Sequence, residues 1–491
     1  MTSEAVRRMT MHAIHDLLLS ARERRPDGTA LRDDEGSWTY RELTAHSHGF
    51  GAWLRDRGIG PGDRVLIRAA GNRKTLAALY GCSLVGATAI PLSPTATRRE
   101  LEHVVRDATP SLTLQDIPSV PAAGEPSSAD LDALSDPTAR AAHPALLIYT
   151  SGSTAAPKAV VCRAEQILFA VTAIAERLRY APDDVVYCRL PLSFDYGLYQ
   201  TFLAAHATAE LVVAPGGVDG RVLTRIRELG ATVVPLVPGL ATILLRLARG
   251  RPVESSVRLF TNTGEALPAE TIRELRACFP RAGIQLMYGT TECKRISIAP
   301  VDEDRERPGS VGPPLTGTRV GILGADGHEA EAGEVGEIVV SGPHVMDGYW
   351  NAPEITAQVF RRPADGSAGE TVLHTGDYGY LDTDGHVYVV GRRDSVFKRL
   401  GVRTSTAEIE AAARAVPGVT EAAVLPPLDG RDAALFVVAS VPETEVLRQL
   451  RTLLDAQKVP GVCRTVAELP RQSNGKLDRV ALRSLLTEVS P

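Results

Sequence analysis

The segment HPALLIYTSGSTAAPKAV, residues 143–160, decides how the chain is read. Its short apolar run, ending at Tyr149, has the length and composition of a buried strand. The run gives way to small and hydroxyl residues and closes on a single cation, Lys158. Gly152 lets the backbone turn close to a ligand; Ser151, Ser153 and Thr154 set hydroxyls beside backbone N–H groups; Lys158 adds charge. A strand running into such a loop is either a phosphate cradle or a plain Ser/Thr-rich turn, and the segment alone weighs the two evenly. It is not a Walker loop, because no Gly-Lys-Ser/Thr follows at the required spacing.

Around this segment, short β-branched runs recur: DRVLIRA at 63–69, ATAIPL at 87–92, DVVYCRL at 184–190, AELVVAP at 209–215, ATVVPLVP at 231–238, VRLFTNTG at 257–264 and GIQLMYG at 283–289. Helical patterns such as YRELTAHSHGFGAWLRDRG and RVLTRIRELG separate many of them, the second ending at Gly230 as a helix C-terminus would. Strand–helix alternation predicts an α/β fold with mostly parallel sheets. Residues 115–142, rich in Pro, Ser, Ala and Asp, read as a surface connection. After Gly333 the texture changes to short strands with Gly/Asp turns, a compact β unit. From Asp394 a separate α+β piece is expected: helix STAEIEAAARAV, strands EAAVLPP and DAALFVVASV, helix ETEVLRQLRTLLDAQ, strand CRTVAEL, then a tail.

Bulk composition bounds the function. A chain of 491 residues, 44% hydrophobic and 23% charged, can bury a large core. A formal charge of −5 without a Lys/Arg stripe gives no support for nucleic-acid binding. No apolar run is long enough to cross a bilayer, and the charged N-terminal segment reads as an amphipathic helix, not a signal peptide. The six cysteines are dispersed without a C-x-x-C, which predicts reduced thiols in a cytoplasmic protein.

Four further segments raise the odds of a phosphate site. YGTTE, 288–292, places a carboxylate beside two hydroxyls after a strand; HTGDYGY, 374–380, holds Asp377 in a Gly-flanked turn; GRRD, 391–394, stands where the texture changes; PRQSNGKLDR, 470–479, is a polar loop around Lys476. Each alone is more simply a turn, but the ordered set is hard to obtain by chance. With these motifs, WTYRELTAHSHGFGAWLRDRGIGPGDRV at 38–65 and GEVGEIVVSGPHVMDGYWNAPEITAQVF at 333–360, the chain resembles, over nearly its whole length, the acyl-adenylating superfamily of acyl- and aryl-CoA ligases, nonribosomal peptide synthetase adenylation domains and luciferases.

The resemblance implies a large N-terminal domain, residues 1–393, of parallel and mixed sheets sandwiched with helices plus the small β unit, and a small mobile α+β lid, residues 394–491, hinged at Asp394. It implies that the loop from Thr150 to Lys158 holds the β/γ-phosphates of ATP and that Tyr288, Gly289 and Thr290 border the nucleotide. Thr291 would contact the α-phosphate, Glu292 would ligate Mg²⁺, Asp377 would accept the ribose hydroxyls, and Arg392 would lie near the ribose and phosphate. Lys476 would reach from the lid into the reaction centre. Family loops usually carry glycine where Ala155 and Ala159 stand, and the lid has Leu400, Ser405 and Ala407 where arginine, glutamate and glycine are common, although Gly401, Arg403 and Glu408 are kept. These departures bear more on thiol transfer than on adenylation.

The acyl cavity is expected to be lined by Phe194, Asp195, Tyr199, Thr263, Gly264, Met287 and Arg295. In amino-acid-activating members a Phe-Asp pair at this point sets the aspartate against the substrate ammonium; otherwise Asp195 pairs with a backbone N–H or an arginine. Bulky Tyr199, Met287 and Arg295 favour a small amino acid; Arg295 either binds a second carboxylate, as in an aspartate-like substrate, or forms a rim salt bridge. No carrier domain follows Lys476, so the expected acceptor is the phosphopantetheine thiol of a separate carrier protein, with coenzyme A as the alternative and a small plain acid as its substrate. A non-catalytic adenylate-binding protein is a third reading, disfavoured by the presence of Thr291, Glu292, Asp377 and Lys476.

Overall fold

The structure, a computed structural model, describes residues 11–123, 143–150, 157–214, 220–361, 370–392, 395–399, 402–427, 432–472 and 476–487. Ser151, Gly152, Ser153 and Thr154 of the expected phosphate loop, with Ala155, the expected hinge Asp394, and Leu400 and Gly401 at the start of the expected lid lie outside the described residues.

Val65, Leu66 and Ile67 are all buried, so the strand Arg64–Arg68 is covered on both faces, as a parallel strand between helices must be. It sits in a five-stranded sheet ordered Leu112–Leu114, Arg64–Arg68, Thr88–Leu92, Leu146–Thr150, Lys158–Cys162. Only the last pair is antiparallel, with Thr150 opposite Lys158. The two ends of the expected phosphate loop are therefore held side by side at the edge of this sheet. The neighbouring helix Arg98–Ala108 fastens both flanks: Tyr149 Oη donates to Asp107 Oδ2 at 2.7 Å, and His103 Nε2 lies 2.8 Å from the Pro157 carbonyl.

The eight-stranded sheet runs Ser297–Ile298, Gly283–Tyr288, Leu259–Asn262, Val233–Leu236, Val185–Cys188, Glu210–Val213, Thr29–Asp33, Gly36–Thr39. Its interior pairs are parallel and its two outermost pairs antiparallel, so the expected mostly parallel sheets are present with reversed edges. The helices Ile14–Arg24, Tyr40–Arg55, Arg73–Val85, Ala164–Leu178 and Asp195–Ala207 share one extended apolar core with both large sheets. Residues 115–123 carry no regular element, and Ala123 N–H donates to Ala45 O of the helix Tyr40–Arg55.

The β unit expected after Gly333 is an antiparallel sheet that begins earlier, with Arg319–Leu323, Gly336–Ser341 and Val372–Leu381; Phe360–Arg361 and Val387–Arg392 pair successive stretches of the far edge of Val372–Leu381. Here the structure corrects one expectation: Asp377 lies in a strand, not a turn. Glu337 pairs with Tyr378 but Val339 pairs with His374, so extra residues of the Asp377 strand bulge out at this point. Gly376, at φ 68°, supplies the left-handed backbone the bulge requires, which is the role a glycine-flanked turn suggested.

The C-terminal part has the ribbon Val396–Arg399 with Val402–Ser405, a three-stranded sheet of Val419–Leu425, Ala434–Ala439 and Val462–Thr465, and the helices Thr406–Arg414 and Glu443–Leu453. Ser405 caps the first of these helices, accepting the Glu408 N–H. Ile409, Val424, Leu435, Val437, Val446 and Leu450 form a core of their own. The segment expected as a tail ends in a helix, Arg479–Thr487, whose Leu482 is fully buried against Phe436. All six cysteines are free and buried. Among the described residues, no helix is long and apolar enough to cross a membrane.

Candidate active site

Loops follow the strands Val185–Cys188, Leu259–Asn262 and Gly283–Tyr288, and the first two approach Lys476 through Phe194 and Gly264. The third doubles back on itself. A Cβ on Gly289 would stand 1.9 Å from the Lys294 carbonyl oxygen and 2.8 Å from Arg295 Cα, so only glycine allows the return. Cys293 N–H closes on Thr290 O, and Lys294 takes a left-handed conformation, φ 64°. The fold-back sends Thr291 and Glu292 outward and turns Lys294 and Arg295 into the protein.

At the nucleotide side, Asp377 is buried and makes two polar contacts. Tyr288 Oη donates to its Oδ2 at 2.7 Å, and Arg392 Nε stands 3.0 Å from its Oδ1. Burial pushes the Asp377 carboxyl up from its ordinary range, against the pull of Arg392 and Tyr288. Arg392 is raised, chiefly by the Asp377 charge. Glu292 Oε1 accepts the Tyr349 phenol at 2.7 Å, and Lys158 Nζ stands 5.6 Å from the centre of the same ring. Thr150 and Lys158 face each other across the hairpin.

From the C-terminal part, Lys476 reaches the large domain: its Nζ is 5.3 Å from the Phe194 ring centre, and its Cε would touch a Cβ on Gly264 at 3.6 Å. Gly264, at φ 85°, supplies the left-handed turn beside this side chain. Burial lowers the Lys476 ammonium from its ordinary pKa, while the carboxylates of Asp195, Glu265 and Asp377 pull it up and Arg392 pushes it down.

At the acyl side, Asp195 opens the helix Asp195–Ala207, where the helix dipole favours a negative charge. The Asp195 carboxylate is buried and lies 3.6 Å from Arg295 Nη1, beyond hydrogen-bond length. Arg295 also donates from Nη1 to Lys294 O at 2.9 Å and stacks 4.8 Å from the Tyr196 ring centre. Lys294 is fully buried; its Nζ donates to Thr291 O at 2.9 Å and sits 3.5 Å from Cys162 Sγ and 5.6 Å from the Tyr199 ring centre. Met287 is buried at the end of its strand. The buried Tyr199 Oη and Thr263 Oγ1 have no hydrogen-bond partner among the described residues. Two buried cations and one buried carboxylate, with two orphaned buried hydroxyls, leave polar groups here that call for further partners.

The fold therefore brings Lys158 and Glu292 together on Tyr349, sets Asp377 and Arg392 near Glu292 and Lys476, and places Phe194 and Gly264 against the lysine, with Asp195 beside Arg295 in the protein. Sequence reading passed over Lys294 and Tyr349. The signal for Lys294 was two adjacent cations in CKRISIAP, a stretch otherwise apolar enough to be buried.

The AMP-binding enzyme family matches residues 19–350 and the AMP-binding enzyme C-terminal domain matches 408–476. CymA of Salinispora arenicola, a probable nonribosomal peptide synthetase, is 32% identical over 93% of this chain, which spans only 6% of CymA's length. The L-proline–[L-prolyl-carrier protein] ligase of Pseudomonas fluorescens is 28% identical, covering 96% of this chain and 99% of that protein. The sulfoacetate–CoA ligase of Cupriavidus necator is 31% identical over 92% and 93%. Among solved structures, VinN is 42% identical, with a TM-score of 0.66 over 77% of this chain and 98% of its own, and it has been solved with L-aspartate. ATP-bound MatB from Rhodopseudomonas palustris matches 97% of this chain and 99% of its own at 27% identity, with a TM-score of 0.82. The protein belongs to the AMP-binding enzyme family and is an AMP-forming ligase of the acyl-adenylating superfamily.

Proposed function

We propose that the enzyme adenylates a small amino acid bearing a second carboxylate, aspartate or a close relative, and passes the aminoacyl group to the phosphopantetheine thiol of a carrier protein. The observation that carries this reading is the burial of Asp195 beside Arg295, with Lys294 also buried and next to Arg295 in the chain. A buried ion needs a partner, and this group holds one cation more than its carboxylate can match. A ligand with one ammonium and two carboxylates, net charge −1, would balance it: the ammonium at Asp195, one carboxylate at Arg295 and Lys294, and the other left to react. The VinN complex with L-aspartate supports the same choice. The carrier-protein ligase for proline supports the acceptor.

In this reading Asp377 accepts the ribose hydroxyls, taking over the place of the Arg392 contact. Lys158 and the loop after Thr150 hold the β/γ-phosphates, and Tyr288, Gly289 and Thr290 border the nucleotide. Among the described residues, no group of three or more His, Cys, Asp and Glu side chains suits a metal. Glu292 alone is a hard oxygen donor, which fits a magnesium ion carried on nucleotide phosphates. When bound, Mg²⁺ would offset phosphate charge. The acid's carboxylate oxygen attacks the α-phosphorus, a new O–P bond forms, and pyrophosphate leaves with the electron pair of the broken P–O bond. Lys476 and the Thr291 hydroxyl meet the charge that grows on the α-phosphate oxygens, a contribution of roughly 3–4 kcal/mol per preorganised donor. A thiolate then attacks the acyl carbon, a C–S bond forms, the acyl C–O bond to the phosphate breaks, and AMP departs with its electron pair. The part from Asp394 onward acts as the mobile lid that withdraws Lys476 before this second step.

A second reading, an AMP-forming acid–CoA ligase for a small plain acid, is supported by the likeness to the sulfoacetate–CoA ligase. In that case Arg295 would remain the partner of Asp195. Pyrophosphate exchange across amino acids, their desamino analogues and sulfonates separates the two. Exchange confined to acids without an amine would sink the first reading, and coenzyme A consumption in place of carrier loading would sink its acceptor.

A further inference from the structure

Tyr349 joins two groups that the reading above assigns to the nucleotide and to its metal, and it belongs to neither motif. Its phenol donates to Glu292 Oε1 at 2.7 Å, while Lys158 Nζ lies 5.6 Å from its ring centre, within cation–π range. The segment around it is stitched to both sides. Val160 bridges to Tyr349 as a short antiparallel contact, Val161 N–H donates to Gly348 O, and Trp350 N–H donates to Ala159 O. On the other side Met346 N–H donates to the Glu292 carbonyl at 2.9 Å. The ring cannot drift: it packs edge-on against Phe360 at 5.6 Å, and its own N–H donates to Thr356 Oγ1 at 2.9 Å. Gly348, at φ 124°, leaves room for Thr356, whose Cγ2 would stand 2.3 Å from a Cβ there.

We propose that Tyr349 is a positioning residue that fixes one oxygen of Glu292 and leaves the carboxylate aimed for a nucleotide-borne divalent cation, while its ring seats Lys158 for the terminal phosphates. One side chain would then couple metal affinity to phosphate affinity. The inference rests on the adenylation reading of the cleft. A hydrogen bond to a metal-ligating group commonly governs 10–100-fold in metal affinity.

Tyr349→Phe keeps the ring and removes the hydroxyl; Tyr349→Leu removes both. Mn²⁺ binding to full-length protein with a non-hydrolysable ATP analogue, read by electron paramagnetic resonance, is expected to weaken about tenfold or more in Tyr349→Phe. Affinity for the analogue in chelator should stay within about twofold. Tyr349→Leu should also weaken the analogue without metal, by the few-fold worth of a cation–π contact. In a Glu292→Gln background, Tyr349→Phe should cause no further loss of Mn²⁺, whereas a residue that merely holds the fold would. Mn²⁺ affinity unchanged in Tyr349→Phe, or a loss that persists in Glu292→Gln, overturns the inference while leaving the adenylation reading intact. Wild-type protein that binds neither analogue nor Mn²⁺ overturns that reading and the inference together.

Discussion

Arg295 and Asp195 face each other inside the large domain with 3.6 Å between Nη1 and Oδ2, and both are buried. The gap is too long for a hydrogen bond, and fully buried Lys294 lies beside Arg295 in the chain. Arg295→Ala is therefore expected to lower kcat/KM for a dicarboxylic amino acid by about 10–100-fold, the weight of one or two charged hydrogen bonds. Neutral amino acids should lose far less. A uniform loss across both classes would show that Arg295 only supports Asp195.

Asp195→Asn removes the proposed ammonium partner at almost constant volume. Exchange with amine-bearing acids should fall about 10–100-fold, while a desamino dicarboxylate should be unaffected or improved. Equal losses for both would mean that Asp195 serves Arg295 alone.

Lys476 titrates early because burial outweighs its carboxylate neighbours. Its cation is lost as pH rises through the depressed pKa, so kcat/KM for ATP should decline on the alkaline side at a pH below the roughly 10.4 of a free lysine. Lys476→Ala should lose about 10²–10³ in exchange rate and lack that alkaline limb. A pH profile identical to the wild type's would exclude Lys476 as its source.

His344 is fully buried and its imidazole is pushed down to about 4 from 6.5 by burial. The unfolded chain takes up this proton near pH 6.5 and the folded chain only near 4, so the stability is present above 6.5 and is lost as pH falls between the two. The whole window is worth about 3 kcal/mol. His344→Asn should flatten it: between pH 7 and 4.5, urea unfolding of wild type should lose about 2–3 kcal/mol more than the variant. Parallel losses would show that His344 does not govern acid stability.

Much of this site was legible because its chemistry sits in short polar loops at strand ends, where motif and residue type coincide. Asp377 was found as a carboxylate but placed in a turn, since a bulged strand and a turn ask for the same glycine; only the pairing of Val339 with His374 tells them apart. Lys294 escaped although its neighbour Arg295 was expected in the acyl cavity, because adjacent side chains commonly point apart and nothing local says that Lys294 is left-handed. Tyr349 escaped for a different reason: its partners are 57 residues away at Glu292 and on another sheet at Lys158, a relation created by tertiary packing. The helix Arg479–Thr487 was read as a tail because its apolar face is completed by Phe436 of a distant strand.

The most direct test of the account is the ratio of kcat/KM in ATP–pyrophosphate exchange for L-aspartate, 3-methylated aspartate and β-isomers against the corresponding amides and desamino acids. A site holding two buried cations and one buried carboxylate predicts that the best acid carries both an amine and a second carboxylate, preferred by at least about 100-fold over analogues missing either. An enzyme that exchanges as well with asparagine, or with succinate, would contradict it.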